Sequence, residues 1–286
     1  TLGSMKRHAN LGKVFWLLPL VLQSQDANAW GLVTHLYFAH SLLWAMPLLD
    51  PRLRQAIQRF PELVMAGACL PDLSLVSPTF RETHQWRHAY GLLSRARTDE
   101  ETAMAIGYAS HLYVDVIAHN HFVPAHEAMW MENSMMTHIA SEWAMDAHLA
   151  PLMAHTPGKL LDCHANALAA FISPSFGCEP QHTEKALRRL GKADRLLRFS
   201  RLPGMIYRSM RMLDRRVFKH FVYYIAKTQT AIQDIHIVLQ GIQPHWEAEL
   251  RHLDAAQLNA WRAACRQHLE HLHPAPITYF SKLAGD

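Results

Sequence analysis

The chain has 286 residues, of which 50% are hydrophobic and 18% are charged, so it is able to bury a sizeable core. Its 12 glycines and 15 prolines argue against a collagen-like chain, a flexible linker and a turn-rich all-β fold. The net charge is only +4, but there are 21 histidines against 24 Asp plus Glu. Because imidazole is a common ligand of transition metals, this composition raises the expectation of a metal site.

The N-terminal segment has the layout of a secretory leader. Basic residues precede the apolar run 14–22, and an A-x-A sequence follows at 27–29. The run is shorter than the about 20 apolar residues that a bilayer span needs. We therefore expect a signal peptide at 5–29, residues 1–4 being left out of this prediction, and a mature chain that starts at Trp30 and is exported to the periplasm or the exterior. A retained leader, with membrane association, is the alternative.

The mature chain reads as helices throughout. Apolar side chains recur at three- and four-residue intervals, and strict period-two runs are nearly absent. The predicted helices are 34–49, 100–121, 125–151, 160–172, 182–199, 205–240 and 254–272. Most prolines lie between these segments, and Pro124 is expected to end the second of them. The sequence thus predicts one all-α domain over 30–286.

Two pairs of metal-ligating residues occur on successive predicted helices. His111 and Asp115 are four residues apart, so on a helix they share one face. His138 and Glu142 repeat this spacing on the following helix, and His121 lies between the two pairs. Helical bundles build dinuclear metal sites from such pairs, with the ligands facing a shared interior. The pattern therefore predicts a metal centre.

Two further elements of the pattern lie upstream. Asp72 follows a proline, and His84 comes twelve residues later. Trp30 and His35 are five residues apart at the start of the predicted mature chain. Taken alone, Asp72 would be interpreted as a helix cap or turn residue, His84 as a surface histidine and Trp30 as a by-product of processing.

The motifs occur in a fixed order: WGxxxH, PD with a histidine twelve residues on, HxxxD with a histidine six residues on, and HxxxE. This ordered set resembles the bacterial zinc-dependent phospholipase C family. The wider superfamily also contains the single-strand-specific zinc nucleases. The matched motifs span Trp30 to Glu142. The resemblance implies an all-α fold of this type and hydrolysis of a phosphodiester with about two to three Zn²⁺ per chain.

The resemblance assigns nine residues to three zinc ions. They are Asp72, His84, His111 and Asp115 for the first ion, His121, His138 and Glu142 for the second, and the α-amine and carbonyl of Trp30, His35 and a bridging Asp115 for the third. Asp72 is also expected to orient or deprotonate the attacking water as the general base. His119 and His126 lie close enough in the sequence to replace His121.

The substrate class is less sharply indicated. The HxxxE pair and the twelve-residue spacing from Asp72 to His84 resemble the phospholipases, whereas the short WGxxxH start resembles the nucleases. We expect phospholipid cleavage to diacylglycerol and a phosphorylated headgroup, with single-strand nuclease activity as the alternative. A third alternative is a metal-stabilised protein without turnover in a membrane-associated assembly, which a retained leader would favour because Trp30 then has no free amine.

Basic charge is concentrated at 185–227. This segment has thirteen Lys or Arg and two acids, Asp194 and Asp214. Interleaved with apolar residues, it could lie on an anionic membrane surface, steer a nucleic acid toward the site, or form ordinary helices with charged outer faces.

The four cysteines have no CxxC spacing, so a thiolate zinc site is not expected. After export a disulfide is permitted, and Cys163 with Cys178 is the pair that we would expect. Four buried thiols are the alternative.

Overall fold

In a computed structural model, the structure describes residues 31–130, 135–245, 254–272 and 279–280. Most of these residues are helical and no strand occurs among them, which confirms the predicted all-α class. The α-helices, in chain order, are α1 (Leu32–Ala45), α2 (Pro51–Arg59), α3 (Pro61–Gly67), α4 (Trp86–Arg95), α5 (Asp99–Ile117), α6 (Val123–Met129), α7 (Met135–Leu149), α8 (Pro157–Cys163), α9 (Ala165–Ile172), α10 (Pro180–Phe199), α11 (Leu202–Leu213), α12 (Val217–Ile232), α13 (Ile235–Leu239) and α14 (Ala255–His271). Short 3₁₀ helices lie at Met46–Leu48, Pro71–Leu75, Pro78–Phe80, Ala150–Leu152 and Ser173–Phe176.

Three helices, α2, α3 and α4, were not predicted from the sequence. Two of them begin with a proline, Pro51 in α2 and Pro61 in α3. Proline is favoured in the first turn of a helix, where its missing N–H would have no intrahelical acceptor. These prolines therefore open helices instead of separating them.

Three of the predicted helices are divided in the structure. The segment 125–151 contains α6 and α7, 160–172 contains α8 and α9, and 205–240 contains α11, α12 and α13. One cause is local: Asp214 adopts an extended conformation after α11, and its side chain accepts a hydrogen bond from the backbone N–H of Arg216 at 2.9 Å. Turn-forming side chains of this kind compete with helix continuation.

Pro124 does not end the helix that precedes it. The chain continues from α5 through a π-helical turn, Ala118–Phe122 (the π turn), into α6. Proline has no N–H for the carbonyl four residues earlier, here that of Asn120. The indole N–H of Trp261 in α14 donates to this carbonyl at 2.6 Å instead. A distant helix thus compensates for the lost helical hydrogen bond.

Helix α5 lies at the centre of the molecule. Every residue from Thr102 to Ile117 is buried, and α1, α2, α3, α4 and α12 pack against it. Its N-terminus is fixed by a capping box, in which the Thr98 side chain accepts from the Glu101 backbone at 3.2 Å and Glu101 reaches back to Thr98. Polar residues near the end of α5 are therefore held in a rigid, water-poor interior.

Helices α3 and α5 approach each other at backbone distance. A Cβ atom at Gly107 would overlap the carbonyl oxygen of Val64, and one at Gly67 would overlap the carbonyl oxygen of Met104. Only glycine permits such an approach, because it has no side chain. The crossing brings the end of α3 beside the last two turns of α5.

All four cysteines are free in the structure. Cys163 is exposed, and the Cys178 thiol contacts the hydroxyl of Thr183 at 3.4 Å. The expected bridge between Cys163 and Cys178 is not formed, and the alternative of four buried thiols is also wrong. Within the described ranges, no helix has both the length and the apolarity that a membrane crossing needs.

Candidate metal centre

Buried histidines and carboxylates meet where α1, α5 and α7 converge on the 3₁₀ turn Pro71–Leu75. Within each of three groups, the potential ligand atoms lie within 4.8 Å of one another. The groups are His35, His111 and Asp115; Asp72, His84 and His111; and His119, His138 and Glu142. Eight of the nine residues predicted as ligands lie in the described part of the chain, and seven of them belong to these groups.

Asp115 lies between the groups. Its Oδ1 is 3.2 Å from Nε2 of His35, and its Oδ2 is 3.1 Å from Nε2 of His111 and 3.5 Å from Nε2 of His84. Its Oδ1 is also 3.7 Å from Nε2 of His119. The carboxylate is completely buried. Both of its oxygens can therefore act as ligands at once, which is the arrangement that a bridging carboxylate requires.

His111 is oriented by the close crossing of α3 and α5. Its Nδ1–H donates to the carbonyl oxygen of Ala68 at 2.8 Å, so Nε2 keeps its lone pair in the neutral ring. The His35 ring stacks on the His111 ring with 3.6 Å between centroids. Hydrogen bonding of the distal nitrogen is how proteins fix the orientation and tautomer of metal-ligating histidines.

Asp72 and His84 are brought to the site by a short polar connection. Oδ1 of Asp72 is 3.8 Å from Nε2 of His84 and 3.9 Å from Nε2 of His111. The Thr83 hydroxyl donates to the Pro71 carbonyl at 2.5 Å, and the Tyr108 hydroxyl of α5 donates to the Thr83 carbonyl. Thr83 thus ties the Asp72 turn and His84 to α5.

The third group combines the π turn with α7. Nε2 of His138 is 2.9 Å from Oε1 of Glu142, as expected from their four-residue spacing. The His119 ring lies beside the His138 ring, with 5.2 Å between centroids. His119 is four residues after Asp115, so it continues the face on which His111 and Asp115 lie.

His121 is not in this group, contrary to the prediction. Its ring lies against Trp261 and Tyr279, with centroid distances of 5.6 and 5.9 Å, and it lines a small cavity with Lys227 and His268. His119 and His121 are two positions apart in one continuous helical segment, and residues at that spacing point to nearly opposite sides of a helix. His119 therefore faces the carboxylates and His121 faces away from them.

His126, the other histidine that the sequence left open, is also directed elsewhere. It donates from Nδ1 to the Phe122 carbonyl at 2.8 Å, and its ring packs against Phe122 and Phe221. It therefore belongs to the aromatic core between α6 and α12.

The protonation of the site reflects its burial. Desolvation raises the pKa of Asp72 to about 8 and that of Glu142 to about 7. Desolvation also lowers the pKa of His84 to about 4 and that of His119 to about 3. Near neutral pH the imidazoles of His84 and His119 are thus held neutral, as metal ligation requires.

Asp115 behaves differently from the other carboxylates. Burial by itself would raise its pKa, but His111 and His35 hold the pKa well below its ordinary range. The residue therefore stays ionised in the interior, where a buried charge needs a positive partner.

Several buried polar atoms of the site have no hydrogen-bond partner among the described residues. They are both carboxylate oxygens of Asp115, Oδ1 of Asp72, both ring nitrogens of His35 and Nε2 of His119. Each such atom would cost about 1–3 kcal/mol if it stayed without a partner. Carboxylate oxygens and imidazole nitrogens are the ligands of Zn²⁺ in catalytic sites. The residues present therefore fit zinc.

Asp146 supports the site although it was not predicted from the sequence. It lies four residues after Glu142 on α7, and its carboxylate accepts from the backbone N–H of Thr34 at 2.8 Å, from the Thr34 hydroxyl at 2.7 Å and from the backbone N–H of Val33 at 3.2 Å. Gly31 makes room for this carboxylate, because a Cβ there would overlap it. Asp146 caps the start of α1, one turn before His35. The signal in the sequence was the repeated spacing His138, Glu142, Asp146.

Trp30 lies outside the described residues, as does the segment expected to be a leader. The roles of the Trp30 α-amine and carbonyl as ligands therefore stay predictions.

The fold and the site define a class of protein: an all-helical domain with buried clusters of histidines and carboxylates that could hold metal ions. The family model for zinc-dependent phospholipase C matches residues 34–177. The chain belongs to the zinc-dependent phospholipase C family. The match includes all three groups of potential ligands and ends before α10. No curated protein and no solved structure matches the chain significantly.

Proposed function

We propose that the protein is a zinc-dependent phosphodiester hydrolase that cleaves phospholipids to diacylglycerol and a phosphorylated headgroup. The observation that carries the proposal is the position of Asp115, whose two oxygens each lie 3.1–3.2 Å from the Nε2 atom of a different histidine. Family membership and the donor set support zinc as the metal, with about two to three ions per chain.

The residues of the site would have different roles in hydrolysis. The groups around Asp115 and Glu142 would hold the ions, and bound zinc would supply the Lewis acid that polarises the phosphate and makes water a better nucleophile. Asp72 would accept the proton of the attacking water; its carboxyl group belongs to the group with His84 and His111, and its raised pKa of about 8 supports this role. His111 and Asp115 would keep their orientation throughout, because both are buried in a capped helix.

Phospholipid is proposed over nucleic acid because the HxxxE pair, His138 and Glu142, and the twelve-residue spacing from Asp72 to His84 resemble the phospholipases. The short WGxxxH start favours the alternative, a single-strand nuclease. Retention of the leader would favour a metal-stabilised protein without turnover. We further propose that the protein acts after export, as expected from its N-terminal sequence.

The test is hydrolysis by purified protein of known zinc content. Phosphatidylcholine in mixed micelles should yield diacylglycerol and phosphocholine, while single-stranded DNA and RNA remain intact. The Asp115→Asn variant is the matched control and should lose both zinc and turnover. Digestion of single strands without lipid cleavage would replace the proposal by the nuclease alternative, and absence of turnover on both substrates by zinc-loaded protein would favour the non-catalytic one.

A further inference from the structure

Exposed apolar side chains are concentrated around α11. Among the described residues, twelve large hydrophobic side chains are exposed, and seven of them lie between 196 and 222. They are Leu196, Phe199, Met205, Met212, Leu213, Phe218 and Val222. The most exposed are Met212 at 83%, Phe199 at 79% and Leu213 at 77%. Soluble domains seldom expose apolar side chains at this density without a binding role.

Helix α11 has an inner and an outer face. On the inner face, Pro203 and Met210 are buried and the Tyr207 hydroxyl lies 2.7 Å from Nδ1 of His148 in α7, the helix that also carries Glu142. Met205, Arg208 and Met212, spaced by three and four residues, share the exposed outer face. The inner face of α11 thus packs against α7, a helix of the candidate metal centre, and the outer face lies on the opposite side of α11.

The same region has unbalanced positive charge. Between 195 and 222 there are eight Lys or Arg and one acid, Asp214. Three of the arginines form ion pairs, namely Arg195 with Asp162, Arg198 with Asp194 and Arg216 with Asp214. Among the described residues, no acid pairs with the other five cations, which are Arg201, Arg208, Arg211, Arg215 and Lys219.

Arg211 joins the apolar and the basic side chains. Its guanidinium lies over the rings of Tyr207 and Phe218, 5.6 and 5.5 Å from their centroids. This contact joins α11 to Phe218 at the start of α12. We call the outer side chains of α11 and of its two flanking turns, from Phe199 to Phe218, the α11 face.

We propose that the α11 face docks on the surface of an anionic phospholipid membrane. The exposed Met, Leu and Phe side chains would enter the boundary between headgroups and acyl chains, and the unpaired arginines would bind the headgroup phosphates. The exposed set is largely aliphatic, whereas surfaces that bind single-stranded nucleic acid use aromatic rings on which bases stack. The charge and the apolar character together fit a lipid surface.

This docking surface would bring the metal centre to its substrate, and to that extent the inference rests on the proposed function. Binding to vesicles does not itself require turnover, so the two can be tested separately.

The experiment measures cosedimentation of zinc-loaded protein with vesicles of phosphatidylcholine, with and without phosphatidylglycerol. One variant combines Met212→Ser with Leu213→Ser, and a second combines Arg208→Glu with Arg215→Glu; all four side chains are exposed, so folding should be retained. Each variant should bind the phosphatidylglycerol vesicles about tenfold more weakly or worse. Both should hydrolyse a monomeric short-chain phospholipid at the wild-type rate.

Matched controls remove comparable side chains elsewhere. Leu48→Ser with Leu152→Ser deletes two other exposed leucines, and Arg188→Glu with Arg189→Glu reverses two exposed charges on α10. We expect these controls to change vesicle binding by less than about threefold.

The docking surface would be contradicted if the wild type did not bind the vesicles, or if the variants bound them as tightly as the wild type. It would also be contradicted by tighter binding of single-stranded DNA that depends on Arg208 and Arg215 but not on Met212. Vesicle binding without phospholipid turnover would refute the proposed function and leave the docking surface. Turnover of the monomeric substrate without vesicle binding would support the proposed function and refute the docking surface.

Discussion

At the residue scale, the two histidines of the π turn have different surroundings although only Asn120 separates them. His119 lies beside His138 and within 3.7 Å of Asp115, whereas His121 lies against Trp261 and Tyr279. The direction in which each side chain points decides which of the two can be a ligand.

The pair provides a direct test of the ligand assignment. His119→Ala should lower the zinc content by one ion per chain, because it removes a ligand from the group with His138 and Glu142. His121→Ala is the matched control and should keep the wild-type zinc content, although it creates a cavity that lowers stability. Elemental analysis of both proteins measures the difference. Loss of zinc from the His121 variant only would restore the assignment expected from sequence.

Asp146→Ala should loosen the start of α1. The variant removes the acceptor of three hydrogen bonds from Val33 and Thr34, and loss of a helix cap costs about 1–2 kcal/mol. Denaturant unfolding should show this loss, and zinc should dissociate faster because His35 follows one turn later. Asp162→Ala is the control, since its exposed pair with Arg195 contributes about 0–1 kcal/mol. Equal stabilities for the two variants would contradict this role of Asp146.

At the scale of elements, the crossing of α3 and α5 orients a candidate ligand of the site. The two helices touch backbone to backbone at Gly67 and Gly107, and this contact puts the Ala68 carbonyl at 2.8 Å from Nδ1 of His111. The geometry of the ligands therefore depends on a packing contact that contains no ligand.

Gly107→Ala should separate the two helices. The new methyl group would overlap the Val64 carbonyl, and overpacking of this kind costs about 1–3 kcal/mol. Weaker zinc binding should accompany the lower melting temperature, because His111 loses its hydrogen bond. Gly91→Ala in α4 is the matched control: nothing lies within 4 Å of its Cβ position, so it should stabilise by up to about 1 kcal/mol. A stable, zinc-replete Gly107→Ala protein would show that the crossing can relax.

At the scale of the whole molecule, the metal centre joins segments that are far apart in the chain. His35 in α1, Asp115 in α5 and Glu142 in α7 are brought to one place, with Asp72 and His84 from the connection between α3 and α4. Buried carboxylate oxygens and imidazole nitrogens without hydrogen-bond partners among the described residues face one another there. Their burial opposes the packing of these elements unless a cation binds them.

Chelation should therefore destabilise the whole domain. A ligand at a hundredfold excess over its dissociation constant stabilises the folded state by about 2.7 kcal/mol, so the melting temperature should fall by about 5–10 °C after zinc removal. Calorimetry before and after chelation measures the fall, and added zinc should reverse it. Asp115→Asn, which lacks the bridging carboxylate, should show a smaller fall. A melting temperature that chelation leaves unchanged in a protein that has lost its zinc would contradict the coupling.

Much of the fold and part of the site follow from local spacing. The all-α class and the contacts of His111 with Asp115 and of His138 with Glu142 were predicted, because four residues on a helix always span about one turn. The order of the motifs also indicated the family that the comparison of residues 34–177 established. These features depend on the chain alone, since a helical period or an ordered motif needs no knowledge of what packs nearby.

Other features were decided by the tertiary structure. The choice of His119 over His121 depends on the packing around the π turn, in which His121 lies against Trp261 and Tyr279 from distant parts of the chain. The role of Asp146 depends on Thr34, which is 112 residues away. Local spacing sets which side chains share the face of a helix, but the direction of that face and the partner it meets come from packing between distant segments. For this reason the sequence alone determined the helical class, the family and the paired candidate ligands. The packing of the helices decided which histidine completes the third group and which carboxylate holds the first helix in place.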